Sequence, residues 1–135
     1  LVPNDMEAAR LAGRPVTSVA EAVDVGHELR RTGPRRVVIT LGDRGAVAVA
    51  PNGAWWARPE LPELLAREAA RGTAVGAGDA FLAALLLAEP EDEPVGLARA
   101  VAAGTAVLLG GGSDLVAADD VERVLPHVTV DRQDI

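Results

Sequence analysis

Large apolar side chains are scarce in this chain. Its 135 residues include one phenylalanine, two tryptophans, one methionine and no tyrosine. The core must therefore be Ala, Val and Leu, which allows helices to approach a sheet closely but offers few large anchors. At 49% hydrophobic and 24% charged, the composition is that of a globular domain, long enough to bury about two-thirds of its unfolded surface. All 13 basic residues are arginine against 20 acidic ones, a net charge of −7, which disfavours nucleic acid or an anionic membrane as the main partner. The absence of cysteine removes disulfides, thiolate metal sites and cysteine nucleophiles, and fits a reducing, cytoplasmic setting. The longest apolar runs, residues 80–88 and 100–109, fall short of the roughly 18 residues of a membrane span. No secretory signal opens the chain, which begins at Leu1 and reads as starting within something longer.

Pro3 pushes the residues before it toward extended geometry, so 1–3 read as the tail of an extended segment. Asn4 can cap a short helix over 5–11, closed by Gly13. Ser18 and Glu21 have the form of a capping box, opening a helix that runs to about Arg31 and stops at Gly33-Pro34. The run Val37-Val38-Ile39-Thr40 predicts a buried strand. Gly42-Asp43-Arg44-Gly45 turns the chain into a second strand over 46–50, and Pro51-Asn52-Gly53 reverses it into a third over 54–58. Trp55 and Trp56, adjacent on that strand, point to opposite faces, with one expected in the core and one at the surface. Then come a helical stretch over 61–71, a glycine turn into an apolar helix ending near Ala88, and an acidic linker, Glu91-Asp92-Glu93. A helix over 95–109 stopped by Gly110-Gly111-Gly112, a helix over 119–125 and a strand over 128–130 finish the chain. The alternation predicts a layered α/β sandwich with a mostly parallel sheet.

The chemistry concentrates at residues 74–82. Gly76 and Gly78 leave the backbone open to a ligand, and the helix that follows offers N–H groups with no intrahelical partner at the positive end of its dipole. Such a turn suits an anion. Asp79 sits in the first helical turn beside that anion. A carboxylate there fits the base that takes a proton from an attacking hydroxyl while the amides hold developing charge; an N-terminal cap explains it equally well from spacing alone. A Walker loop is excluded because the chain has no lysine, and a dinucleotide fingerprint because Phe81 stands where a small residue is needed. His27 and His127 have no partners at metal-ligand spacing.

The segment Ala74-Val75-Gly76-Ala77-Gly78-Asp79-Ala80-Phe81 resembles the C-terminal signature of the ribokinase-like (PfkB) carbohydrate kinases. Pro3-Asn4-Asp5-Met6-Glu7 is similar to that family's Pro-Asn-x-x-Glu segment, and Thr40-Leu41-Gly42-Asp43-Arg44-Gly45 to its nucleotide loop, in the family's order. The ending over 120–130 looks most like the 1-phosphofructokinase and tagatose-6-phosphate kinase branch. The resemblance implies the C-terminal half of a Rossmann-like, ribokinase-type three-layer α/β sandwich, with residues 1–135 as its nucleotide-binding and catalytic portion. It implies ATP-dependent phosphoryl transfer to a sugar or sugar-phosphate hydroxyl. Asp79 is then the base, and the Gly76, Ala77 and Gly78 amides form the anion hole. Thr40, Leu41, Gly42, Asp43, Arg44 and Gly45 cover the nucleotide phosphates, Gly104 borders the adenine pocket, and Asn4 and Glu7 influence Mg²⁺ indirectly, through water and phosphates. Arg44 and the metal offset the negative field of the chain.

The chain departs from the family in several places. Members are about twice as long, the missing half being N-terminal; Val2 and Ala74 replace the usual lysine and threonine; and residues 59–72 are longer and more helical than the usual connection. The exposed sheet edge calls for the N-terminal half or a homo-oligomer to cover it. A non-catalytic nucleotide-binding remnant or assembly module, and a ribose or nucleoside kinase, are the alternative readings.

Overall fold

A computed structural model describes residues 1–88, 92–110 and 118–133. The chain divides into two compact units: Leu1–Ala57 with the chain from Val130, and Arg58–Thr129.

In the first unit, residues 1–4 are extended and lie parallel to β1 (Val37–Thr40). Val38 donates to the Leu1 carbonyl at 2.9 Å, Thr40 to the Pro3 carbonyl at 3.0 Å, and Asn4 bridges Thr40. α1 (Asp5–Ala12) and α2 (Val19–Arg30) form the crossover between these two extended segments. Asn4 caps α1, and Gly13, at φ 70°, closes it in the left-handed region. Ser18 caps α2, its hydroxyl accepting from Glu21 N–H at 3.1 Å. β2 (Ala46–Ala50) and β3 (Gly53–Pro59) follow β1 as an antiparallel meander, and β4 (Val128–Arg132) completes the order β1-β2-β3-β4.

The expected mostly parallel sheet is thus corrected. Connections as short as Leu41–Gly45 and Pro51–Asn52 cannot carry a chain back to the start of a neighbouring strand, so β1, β2 and β3 must alternate in direction. Among the described residues, parallel pairing is found for residues 1–4 against β1, where two helices span the return.

One sheet face carries Val37, Ile39, Val47, Val49 and Ala54, packed with Ala8, Val16, Ala22, Val25 and Leu29 from the helical layer. Small residues permit the close approach: a Cβ on Gly26 would stand 2.5 Å from Val49 Cγ2. The register sets Trp56 opposite Val47 on this face, and it packs against the same core. Trp55 points the other way, buried with Val38, Ala48 and Ala57, its ring 5.6 Å below the Arg132 guanidinium. The opposite-face expectation holds, but neither tryptophan is a surface residue.

The second unit is helical: α3 (Glu63–Ala70), α4 (Ala77–Leu87), α5 (Glu93–Ala106) and α6 (Ala118–Val124). Leu65, Ala102, Ala106 and Val124 form one core cluster, and Arg123 ties α6 to α3 by donating to both Glu68 oxygens at 3.2 and 2.6 Å. α5 starts at Glu93 rather than Val95. Glu93 is buried at 6% exposure, correcting its place in a solvated linker; it occupies the first turn, where Pro94 is preorganised for a helix start. Glu91, Gly111 and Gly112 lie outside the described residues. No helix among the described residues is long and apolar enough to cross a membrane.

Candidate active site

Two clusters of the expected site residues lie in different units. In the second, Gly76 caps α4 at φ 87°, ψ −1°. These are the angles of the third residue of a type II turn, which only a residue without Cβ adopts cheaply. The turn is closed by Ala77 N–H donating to the Ala74 carbonyl at 3.0 Å. The expectation that Ala77 offers its amide to an anion is therefore corrected: that donor is engaged. Among the described residues, the Gly78 and Asp79 amides have no backbone acceptor, and the helix regains its ladder only at Ala80 N–H, which donates to Gly76 at 3.0 Å. Gly78 and Asp79 are exposed.

Asp79 is not the helix cap. Gly76 holds that position, and no side chain caps α4. Asp79 stands in the first turn, exposed, and its own N–H is one of the two available amides. α4 turns Phe81 and Leu85 inward, one turn apart. Gly104 of α5 meets this first turn: a Cβ there would lie 3.3 Å from the Ala77 carbonyl and 3.6 Å from Phe81 Cβ. The structure thus brings Gly104 to the base of the Gly76–Asp79 turn.

In the first unit, Thr40 ends β1, and Leu41–Gly45 forms a compact hairpin connection around a 3-10 turn, Gly42–Arg44. Leu41 N–H donates to Gly45 at 2.8 Å, and Gly45 N–H to Gly42 at 3.1 Å. Gly42 and Gly45 take φ values of 64° and 85°. Gly42, Asp43 and Arg44 are exposed. The Arg44 guanidinium is not aimed freely at solvent; it donates to the Thr17 carbonyl at 3.0 Å.

The Asn4↔Thr40 bridge brings the first motif to this loop, across more than thirty residues of sequence. Asn4 and Glu7 form a full capping box: Glu7 N–H donates to Asn4 Oδ1 at 2.8 Å, and Asn4 N–H to Glu7 Oε1 at 2.9 Å. The second Glu7 oxygen stays outside the box. One carboxylate oxygen suits Mg²⁺ that keeps most of its waters and takes phosphate oxygens. No group of three or more His, Cys, Asp or Glu capable of holding a metal gathers among the described residues.

Glu21 gives its N–H to the Ser18 cap, while its carboxylate braces the loop's support instead of closing the box on Ser18 N–H. Its carboxylate accepts from Thr17 Oγ1 at 2.5 Å and Thr17 N–H at 3.1 Å, and these bonds, the hydroxyl's first, hold its pKa below the usual value. Trp56 is a second residue the motifs do not reveal, since no local spacing links a strand tryptophan to a loop twelve residues earlier. Its Nε1–H donates to the Arg44 carbonyl at 2.8 Å.

The sequence profile of the pfkB family carbohydrate kinases matches residues 1–118. A curated relative, 1-phosphofructokinase of Escherichia coli (strain K12), is 34% identical over 105 residues, covering 75% of this chain and 31% of the relative. Phosphofructokinase-2 from Escherichia coli, solved in complex with substrates and products, superposes with a TM-score of 0.74 at 27% identity, over 93% of this chain and 39% of that one. Arabidopsis thaliana ribokinase complexed with ribose and ATP, 23% identical, has the same fold at a TM-score of 0.74 over 93% of this chain and 40% of its own. The chain spans about a third of the curated relative and two-fifths of these solved chains.

Proposed function

The chain belongs to the pfkB family of carbohydrate kinases, and from that membership we propose that residues 1–135 form the nucleotide-binding and catalytic portion of an ATP-dependent kinase. The acceptor is a hydroxyl of a sugar or sugar phosphate, with the chemistry of 1-phosphofructokinase. Phosphoryl transfer needs little covalent help from a protein; it needs the two substrates held in line and the migrating charge met by fixed donors. In this reading Asp79 takes the acceptor proton, and the Gly78 and Asp79 amides with the dipole of α4 face the transferred group. Gly76 shapes that turn. The loop from Thr40 to Gly45 covers the nucleotide phosphates, Gly104 borders the adenine, and Glu7, oriented by Asn4, acts on phosphate-bound Mg²⁺ through water. The setting is the cytoplasm, in keeping with a cysteine-free chain.

The observation that carries the reading is that Asp79 is exposed and does not cap α4, while its N–H and that of Gly78 have no backbone acceptor among the described residues. The engaged Ala77 amide favours a second reading, a remnant that binds nucleotide weakly, because one expected donor is withdrawn. Asp79→Asn separates the two. In a version carrying the family's N-terminal portion, a coupled assay with a sugar phosphate should lose about 10²–10⁴-fold in kcat, as for removal of a general base, with Mg-ATP affinity retained. Unchanged turnover removes the base assignment, and no turnover in the parent protein leaves the remnant.

The partner in this reading is either that N-terminal portion or a second copy of the chain. Leu82, Leu86 and Leu87 on the outer face of α4 are 39%, 75% and 87% exposed, a surface that single scattered residues do not explain.

A further inference from the structure

The loop at residues 40–45 is clamped from outside its own motif. The peptide joining Arg44 to Gly45 is held at both ends: its carbonyl accepts from Trp56 Nε1–H at 2.8 Å, and its N–H donates to Gly42 at 3.1 Å. Gly45, at φ 85° and ψ −133°, has no Cβ to stop that peptide from turning over, so glycine supplies the freedom and the indole removes it. A second strut comes from the Arg44 side chain, fixed on the Thr17 carbonyl at 3.0 Å, while Glu21 fixes Thr17. The amides of Gly42 and Asp43 have no backbone acceptor among the described residues; they are the donors this arrangement leaves to a phosphate. Trp56 is anchored in turn, opposite Val47 in the β2–β3 register and against the core beneath α1 and α2.

We propose that Trp56 is a positioning residue for nucleotide binding, its indole N–H holding the 44–45 peptide so that the loop presents its amides to phosphate. This rests on the reading that residues 40–45 cover the nucleotide.

The chain has two tryptophans, so a ¹⁵N spectrum shows one indole N–H signal for each, assigned by Trp55→Phe or Trp56→Phe. Titration with Mg-ATP should shift the Trp56 signal saturably, with the Kd found by calorimetry, and leave Trp55 still. Trp56→Phe keeps an aromatic ring on the core and removes one hydrogen bond, so its Mg-ATP affinity should fall about 2- to 10-fold, at unchanged circular dichroism. A purely structural tryptophan would leave the indole signal unmoved. Mg-ATP binding with a static Trp56 signal, or with the same Kd in folded Trp56→Phe, overturns the inference and leaves the nucleotide reading standing. No Mg-ATP binding by the unaltered chain overturns both.

Discussion

Asn4 and Glu7 have an observed structural role that leaves one Glu7 oxygen for the chemistry proposed for it. Each gives one oxygen to the other's backbone N–H, which accounts for the Asn-x-x-Glu spacing by helix capping alone. Asn4→Ala removes an acceptor and should cost about 0.5–2 kcal/mol in a denaturant melt, whereas Asn4→Asp should hold the stability nearly constant. Glu7→Gln is the informative change, because glutamine completes a capping box as well as glutamate does. Its melting temperature should match the parent, while the Mg²⁺ concentration needed for half-maximal nucleotide binding rises. Equal Mg²⁺ dependence in the two proteins would reduce Glu7 to a cap.

At the level of elements, patterns within a few residues were readable, and pairings across many residues were not. Ser18-x-x-Glu21, Asn4 and the apolar run after Gly78 announced α2, α1 and α4. The alternation of strands and helices suggests a mostly parallel sheet, yet the tight reversal Pro51-Asn52-Gly53 admits only antiparallel neighbours. The family resemblance implies that Ala77 offers its amide to an anion, whereas Gly76 in the third position of a type II turn commits that N–H to Ala74. The Trp56–Arg44 contact depends on strand register, which no local spacing encodes. Packing between α2 and β2 gives a direct test: Gly26→Ala drives a methyl against fully buried Val49. Overpacking of that kind should destabilise by about 1–3 kcal/mol in chemical denaturation, and an unchanged midpoint would contradict the packing. The α3–α6 contact responds to pH. The hydrogen bond from Arg123 holds the Glu68 carboxyl below its usual pKa. Its folded value lies under its unfolded one, so the contribution is complete above the ordinary carboxylate range and disappears as pH falls through the folded value. Glu68→Gln should therefore lower the melting temperature at pH 7 and converge on the parent once acid has protonated the Glu68 carboxyl; a difference that persists in the most acidic range would assign the effect to packing.

For the molecule as a whole, charge and apolar surface act in opposite directions. A net charge of −7 keeps copies apart and resists an incoming polyanion, so in the proposed reading Mg²⁺ and fixed amides neutralise the nucleotide. The outer face of α4 favours association, with Leu86 and Leu87 three-quarters or more exposed. Salt changes the balance in one direction only: at about 0.1 M the screening length falls to roughly 10 Å, so repulsion between copies fades while apolar contact persists. Sedimentation velocity should accordingly show the chain shifting from monomer toward dimer as NaCl rises from 10 to 300 mM. Leu86→Gln together with Leu87→Gln should hold it monomeric throughout, at a stability within about 0.5 kcal/mol per substitution of the parent, since exposed side chains contribute little to folding. A chain that stays monomeric in high salt without these changes would mean that α4 alone does not drive self-association, and would leave the family's N-terminal portion as the partner that covers it.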